Sequence, residues 1–196
     1  MPRLSLADKQ GLWAKVGYTP SPEQEAAHAS QSQHTLIIGG EGGGKSFAGA
    51  LEATPHGLLL PFKAGMRRGR EIYRPRLYWF VGPEFDDCRP EFRFLWETYQ
   101  ELEEALGQKL IKSVSFPDEG SCKLELVTGT VFETRSAENP AKCMSGRGPQ
   151  GIIYCEAGRL TRELWDRGLS RLARSEEPGA PGWSWASGII QDSLPW

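Results

Sequence analysis

Short apolar segments alternate along the chain with segments of helical periodicity. Apolar runs rich in β-branched and aromatic residues are typical of buried strands, and they cover residues 34–38, 77–82 and 152–154. Apolar residues recur at threes and fours over 91–106, which predicts an amphipathic helix. Strands that alternate with helices predict an α/β fold around a mostly parallel sheet.

Capping and turn signals place the remaining elements. Ser21 before Pro22 is a helix start, and Thr128-Gly129 between two alternating segments is typical of a hairpin. Helices are predicted over 22–30, 46–52 and 162–174, hairpin strands over 123–127 and 130–135, and a last strand over 183–187. Residues 1–17 are interpreted as an N-terminal arm or short helix, and 18–196 as one folded domain.

Composition narrows the class of protein. The 196 residues are 39% hydrophobic with a formal net charge of -2, so the chain is not a histone-like basic protein. Binding to nucleic acid would therefore have to come from a local basic patch. Its longest apolar runs fall well short of the roughly 20 residues that cross a bilayer, so no membrane partner is expected. The cysteines, at 88, 122, 143 and 155, lack metal-ligand spacing and are interpreted as free cytosolic thiols.

A glycine-rich segment carries the clearest chemistry. The segment matches G-x-x-x-x-G-K-[ST] between a predicted strand and a predicted helix, and it consists of Gly39, Gly40, Glu41, Gly42, Gly43, Gly44, Lys45 and Ser46. Glycines let successive N–H groups curl around a phosphate chain, and the helix adds its positive N-terminal end. Lys45 would neutralise the β- and γ-phosphates, and Ser46 would bind Mg²⁺. The alternative is a glycine-rich turn that matches the pattern by chance.

A carboxylate follows the strand 152–154. Glu156 stands where an ATPase places its catalytic base, but the preceding residue is Cys155, where an aspartate usually supports the Mg²⁺ shell. Three possibilities stay open: a metal held by Ser46, phosphates and water; an engineered or degenerate site; or nucleotide binding with slow turnover. Glu156 could also be an exposed acid at the end of a strand.

In order and spacing, these segments resemble the N-terminal ATPase domain of the large terminase subunit, the motor that packages DNA into tailed-phage and herpesvirus capsids. The likeness runs from about Tyr18 to Ser187. It is carried by YTPSPEQ at 18–24, GGEGGGKS at 39–46, LYWFVGPEF at 77–85, SAENP at 136–140, SGRG at 145–148 and IIYCEAGRL at 152–160. The resemblance implies a three-layer P-loop NTPase domain of the ASCE type, with helices and a β-hairpin around the sheet.

The resemblance also implies roles for single residues. It assigns Gln24 to adenine, Glu156 to activation of water, and Arg147 to an arginine finger that enters the next subunit, although Arg147 could equally be a loop residue facing water. Ser187 and Gly188 match, weakly, the motif that couples hydrolysis to movement. Glu41 departs from the basic residue of many relatives, and we expect it to face solvent or a neighbouring subunit.

The resemblance finally implies cofactors, partners and location. ATP and Mg²⁺ are the expected cofactors. Double-stranded DNA, a portal protein, a small terminase subunit and further copies of the chain in a ring are the expected partners, with a monomer in isolation. The location would be the host cytoplasm, at the procapsid portal. The family's nuclease domain has no counterpart in this sequence, so we do not expect the chain to cut DNA.

A basic segment is the remaining candidate site, and two rival functions stay open. The segment holds Lys63, Arg67, Arg68, Arg70, Arg74 and Arg76. These residues could contact DNA phosphates, with Arg67, Arg68 and Arg70 as the candidates, or could form a solvated surface loop. The first rival function is a P-loop helicase or repair ATPase. The second is an assembly protein that binds nucleotide with little hydrolysis.

Overall fold

A computed structural model describes residues 4–189, and the paragraphs below refer to these residues. The strands are β1 (His34–Ile38), β2 (Phe62–Arg67), β3 (Arg70–Arg74), β4 (Leu77–Gly82), β5 (Ile111–Ser115), β6 (Lys123–Leu126), β7 (Val131–Ser136), β8 (Gly151–Tyr154) and β9 (Trp183–Gly188). The α-helices are α1 (Leu6–Trp13), α2 (Pro22–Ala29), α3 (Lys45–Gly57), α4 (Phe85–Leu106), α5 (Pro140–Cys143) and α6 (Arg162–Leu172), with 3-10 turns at Ala14–Val16 and Ala157–Arg159.

Seven strands form one sheet in the order β1-β9-β8-β4-β7-β6-β5. The first five run parallel, and β6 and β5 continue the sheet with antiparallel pairing. Strands β2 and β3 form a separate antiparallel hairpin. Because β1, β9, β8 and β4 are parallel, their last residues meet at one edge, here called the carboxyl edge, and their first residues at the opposite, amino edge.

Helices cover both faces of the sheet. Along β4, Tyr78 and Phe80 join a core formed with α1, α3 and α4, whereas Trp79 and Val81 join a second core formed with α6. This alternation follows from the two-residue period of a strand. The structure therefore confirms the predicted three-layer α/β fold with a mostly parallel sheet.

The predicted elements are present with shifted ends, and strands β2, β3 and β5 and the short helix α5 were not predicted. Helix α4 begins at Phe85 instead of residue 91, because a capping box between Glu84 and Asp87 starts it earlier and Pro90 gives up only one helix hydrogen bond. The basic segment, interpreted as a possible loop, is the hairpin of β2 and β3, and its mostly exposed side chains left little apolar pattern to detect.

Strand β1 corrects one expectation. It was predicted to be a buried strand, but it is the outer strand of the sheet, with Leu36 60% exposed and Ile38 51% exposed. An apolar run alone does not distinguish a central strand from an outer one, because covering the second face depends on neighbouring elements. Residues 190–196 of the predicted domain lie outside the described part of the chain.

The N-terminal segment is helical and belongs to the core. Trp13 on α1 is 1% exposed, and its indole N–H donates to the Leu51 carbonyl at 3.0 Å. Lys9 is buried as well, and its Nζ lies 2.7 and 2.9 Å from the two carboxylate oxygens of Glu52 on α3. His28 Nδ1 is 2.7 Å from the same carboxylate. The segment thus contributes a buried ion pair in addition to apolar contacts.

Residues 4–189 lack both a membrane-spanning helix and a metal site formed by their own side chains. No helix combines the length and apolar character needed to cross a membrane. No group of three or more His, Cys, Asp or Glu side chains is placed to hold a metal ion by itself.

Candidate nucleotide-binding site

The glycine-rich loop joins β1 to α3 at the carboxyl edge. Gly42 and Gly44 adopt φ values of +70° and +68°, which favour glycine strongly over residues with a Cβ. A Cβ on Gly43 would stand 3.3 Å from the Gly40 carbonyl oxygen, a tight contact. Helix α3 begins at Lys45, so its positive N-terminal end faces the loop. The loop thus has the strand-to-helix context that the sequence predicted.

Lys45 and Gln24 are bonded to the loop. Lys45 Nζ donates to the Gly40 carbonyl at 2.6 Å, and Gln24 Nε2 donates to the Gly44 carbonyl at 3.4 Å. The Oε1 of Gln24 also accepts from the Ser21 N–H at 2.9 Å within a capping box. Gln24 therefore lies beside the phosphate loop, and its predicted contact with adenine stays a prediction. Glu41 is exposed, and its expected orientation toward solvent or a neighbouring subunit stays a prediction.

The end of β9 lies between the loop and the predicted catalytic segment. The Gly39 N–H donates to the Gly188 carbonyl at 3.4 Å, and a Cβ on Gly188 would stand 3.1 Å from the Gly158 nitrogen. Ser187 Oγ donates to the Tyr154 carbonyl at 3.4 Å. The structure thus places Ser187 and Gly188 in contact with both halves of the site, which is where a coupling element would have to lie. Their coupling role stays a prediction.

Glu156 follows β8 in an unusual backbone conformation. Its φ of 49° and ψ of 48° lie in the left-handed region, which costs a non-glycine residue roughly 1–2 kcal/mol. Such strain persists where the surrounding structure holds it, commonly at functional sites. The side chain is half-buried at the carboxyl edge, and no described residue donates a hydrogen bond to it. Its carboxylate is therefore available to a ligand.

Cys155, predicted to stand where a metal-supporting aspartate is usual, is fully buried. Burial raises the pKa of its thiol well above the usual value, and the adjacent Cys88 and the acids Glu91 and Glu156 raise it further. The thiol is accordingly protonated at neutral pH. A protonated thiol is also a poor partner for an oxygen-seeking cation.

A further acid at this edge, Glu91 on α4, was not singled out in the sequence. It is 2% exposed, and Ser187 Oγ donates to its Oε1 at 3.4 Å. Burial raises the pKa of Glu91 to about 7; Glu156 adds to this rise, while the Ser46 and Ser187 hydroxyl groups oppose it. A signal was present in the sequence, because residue 91 falls on the buried face of an otherwise apolar helical stripe.

Arg147, the predicted finger, lies at the opposite edge of the sheet. Its guanidinium donates to the Pro75 carbonyl just before β4, and its Nε is 3.3 Å from Glu176. It also lies over the Phe62 ring, 5.9 Å from the centroid. Burial lowers its pKa. Arg147 therefore cannot approach the phosphate loop of its own chain, and the trans finger stays a prediction that requires a second copy.

The predicted DNA-contact residues lie at the tip of the β2–β3 hairpin. Arg67, Arg68 and Arg70 are exposed and form no ion pair with described residues. The other basic residues of the segment are neutralised by acids of the same chain, in the pairs Lys63 with Glu71, Arg74 with Glu176, and Arg76 with Glu177. Within the described residues, the three arginines at the tip are therefore the basic residues of this segment whose charge no acid compensates.

Solved structures of large terminases share this fold. The ATPase domain of the Thermus phage P74-26 large terminase gives a TM-score of 0.69 at 18% identity over 96% of this chain and 70% of that one. The bacteriophage HK97 large terminase gives 0.64 at 13% identity over 96% of this chain and 38% of that one. A large terminase from a thermophilic bacteriophage, solved in complex with ADP, gives 0.50 at 10% identity over 93% of this chain and 38% of that one.

The likeness is one of structure and not of sequence. No protein-family profile and no curated protein matches the sequence. The solved structures confirm the predicted α/β fold and the predicted resemblance. The chain thus has the fold of large terminase ATPase domains, with a glycine-rich loop, Glu156 and Glu91 brought together at the carboxyl edge of its sheet.

Proposed function

We propose that this chain hydrolyses ATP as the motor domain of a viral large terminase, and that hydrolysis moves double-stranded DNA into a procapsid. One observation carries the proposal. In a fold shared with large terminase ATPase domains, the carboxyl edge brings together a glycine-rich loop, a half-buried acid that no described residue pairs with, and the end of β9, from four separate elements. The work would take place in the host cytoplasm, at the procapsid portal.

ATP would bind over the glycine-rich loop. The backbone N–H groups of 39–46 and the N-terminal end of α3 would receive the phosphates. When nucleotide binds, Lys45 would leave the Gly40 carbonyl and contact the β- and γ-phosphates. Gln24 would contact adenine from its place beside Gly44. The ADP bound to the terminase of the thermophilic bacteriophage supports this class of ligand.

The residues at the loop suit Mg²⁺. The available donors are the Ser46 hydroxyl and nearby carboxylate oxygens, which are the ligands that Mg²⁺ prefers. Since no group of three or more His, Cys, Asp or Glu side chains in residues 4–189 could hold a metal by itself, the ion would arrive with the phosphates. Once bound, Mg²⁺ would neutralise charge that develops on the transferred phosphoryl group.

Glu156 would orient the attacking water and accept its proton. The water oxygen forms a bond to the γ-phosphorus in line with the bond that breaks, and the bridging oxygen leaves with ADP. Glu156, with its left-handed backbone, directly follows β8 at the edge where the phosphates would lie. The absence of an internal hydrogen bond leaves this carboxylate able to accept a proton.

The DNA and protein partners are further parts of the proposal. Arg67, Arg68 and Arg70 at the hairpin tip would contact DNA phosphates without sequence preference. The chain would act in a ring of copies on a portal protein, with a small terminase subunit, and would be a monomer in isolation. For Arg147 to serve as the finger of a neighbouring subunit, it would have to leave Glu176 and the Pro75 carbonyl.

Steady-state ATP turnover, measured against chain concentration, tests this function. We expect turnover to rise faster than linearly with concentration, and Glu156→Gln to reduce it by about 100-fold or more while ATP still binds. Arg147→Ala should remove the concentration dependence, whereas Glu176→Gln, which releases Arg147 without removing it, should preserve it. The exposed Glu97→Gln on α4 is the matched control and should change neither quantity.

Cys155 favours one alternative, an assembly protein that binds ATP with little hydrolysis. Tight nucleotide binding with negligible turnover at every chain concentration would support that alternative and contradict the motor. A DNA-stimulated unwinding signal would instead favour the helicase or repair ATPase.

A further inference from the structure

The Glu91 carboxylate is buried at the carboxyl edge with only partial hydrogen bonding. Ser187 donates to Oε1 at 3.4 Å, but Oε2 is buried and has no hydrogen-bond partner among the described residues. A carboxylate oxygen that has lost water without gaining a donor or a cation costs free energy. Nearly all such atoms in native proteins are satisfied, so one left unpaired at a candidate site is available to an ion, a ligand or a water molecule.

The groups around Glu91 are those that would surround the metal of bound ATP. Ser46, Ser187 and Glu156 all lie close enough to interact with its carboxylate. They belong to three different segments: the start of α3, the end of β9 and the turn after β8. A cation beside the Ser46 hydroxyl would therefore also lie beside Glu91.

Cys155 cannot supply the carboxylate that this position of the fold would otherwise provide. Its side chain is fully buried, and its thiol lies 4.0 Å from the Ile153 carbonyl oxygen and interacts with Cys88. Glu91 lies within electrostatic range of the same thiol. Glu91 thus brings a carboxylate from α4 to the groups beside Ser46.

We propose that Glu91 positions the Mg²⁺ of bound ATP beside Ser46, in place of the strand-end aspartate that Cys155 replaces. Oε2 accepts hydrogen bonds from the hydrated cation, and Ser187 holds the carboxylate through Oε1. Glu91 is a positioning residue, distinct from Glu156, which acts on the water. The inference rests on the proposed nucleotide-binding function, because the cation arrives with ATP.

The test compares the affinity for a fluorescent ATP analogue in EDTA and in saturating Mg²⁺, by fluorescence anisotropy. The measured quantity is the ratio of the two dissociation constants. We expect Glu91→Gln to reduce this metal-linked ratio by roughly 10-fold, the loss typical of residues that orient metal ligands. The affinity in EDTA should stay the same or improve, since a negative charge near the phosphates is removed. Glu97→Gln, an exposed acid on the same helix, should retain the full ratio.

The second variant moves the carboxylate from residue 91 to residue 155. Glu91→Gln combined with Cys155→Asp should regain most of the metal-linked ratio, which a merely structural role of Glu91 would not produce. An unchanged ratio in Glu91→Gln, or an equal loss of affinity with and without Mg²⁺, would overturn the inference while the nucleotide-binding function stood. Failure of the unmodified chain to bind the analogue in either buffer would instead overturn the proposed function, and this inference with it.

Discussion

Glu52 and Glu91 are buried acids on the adjacent helices α3 and α4, yet their surroundings differ. Glu52 is 0% exposed, and Lys9 and His28 approach its carboxylate within 2.7 Å. Glu91 is 2% exposed; Ser187 Oγ lies 3.4 Å from its Oε1 and the Ser46 hydroxyl also acts on the carboxyl, but Oε2 has no hydrogen-bond partner among the described residues. No cation approaches it within the described residues. One carboxylate is satisfied inside the fold, and the other is not.

The difference separates a structural acid from a functional one. A buried carboxylate surrounded by donors holds elements together, as Glu52 joins α1 and α2 to α3. An unpaired buried carboxylate lowers stability, so it is retained where it serves a ligand. At the carboxyl edge, Glu91 and Glu156 both lower the stability of the fold. Near the amino edge, by contrast, the arginines are paired with acids of their own chain.

The largest expected effect is on the paired acid. We expect Glu52→Leu to lower the free energy of unfolding by about 3–5 kcal/mol, because Lys9 is left buried without its anion. Chemical denaturation monitored by tryptophan fluorescence measures the change. The double variant Lys9→Met/Glu52→Leu should recover much of the loss, and equal losses in the single and double variants would contradict a structural ion pair.

A second acid placed beside Glu91 should also destabilise the protein. Cys155→Asp puts a buried carboxylate next to Glu91 and Glu156, and we expect a loss of about 2 kcal/mol or more in metal-free buffer at pH 8. Adding Glu91→Gln should relieve part of this loss, because one of the crowded charges disappears. Additive losses in a double-mutant cycle of the two changes would show that residues 91 and 155 do not interact.

Removal of the unpaired charge should have a smaller and opposite effect. Burial raises the pKa of Glu91 from 4.5 to about 7, so between these pH values the folded state binds more protons than the unfolded state. The contribution of Glu91 to the free energy of unfolding is then fully present below about pH 4.5 and is lost as pH rises through about 7. We expect Glu91→Gln to be more stable than the unmodified protein at pH 8 by on the order of 1–3 kcal/mol in EDTA. The gain should vanish at pH 4.5, and a gain independent of pH would contradict this assignment.

The smallest effect is expected for an exposed acid that is paired. Glu71 on the hairpin pairs with Lys63, and their side chains are 45% and 50% exposed. Solvent screens such pairs, so Glu71→Gln should leave the denaturation midpoint unchanged within error. A loss comparable to that of Glu52→Leu would show that the hairpin contributes to the core.

Several features could be predicted because their signals are contiguous in the chain. The strand 34–38, the glycines after it and Lys45-Ser46 form one uninterrupted pattern, and the structure keeps them in one strand, loop and helix. The apolar run of β4 and the periodicity of α4 likewise predicted elements before any contact was known. The exposure of β1 and the hairpin at 62–74 were missed, because both depend on which faces neighbouring elements leave uncovered.

The site was predicted only in part for the same reason. Glu156 could be proposed from its place after a strand, but Glu91 looked like one more acid of an amphipathic helix. Arg147 was assigned from order along the chain, and its partners Pro75 and Glu176 come from distant segments. A charge acquires its role from the groups that surround it, and those groups are brought together by packing.

By itself, therefore, the sequence determined the local features of this protein: a glycine-rich loop between a strand and a helix, an acid after the third predicted core strand, and an α/β alternation. These follow from backbone freedom and from the periods of helices and strands, which act over a few residues. Only the tertiary structure decided which buried acid is neutralised and which is left for a ligand. The desolvation and the pairing of a charge depend on side chains that meet when distant segments pack together.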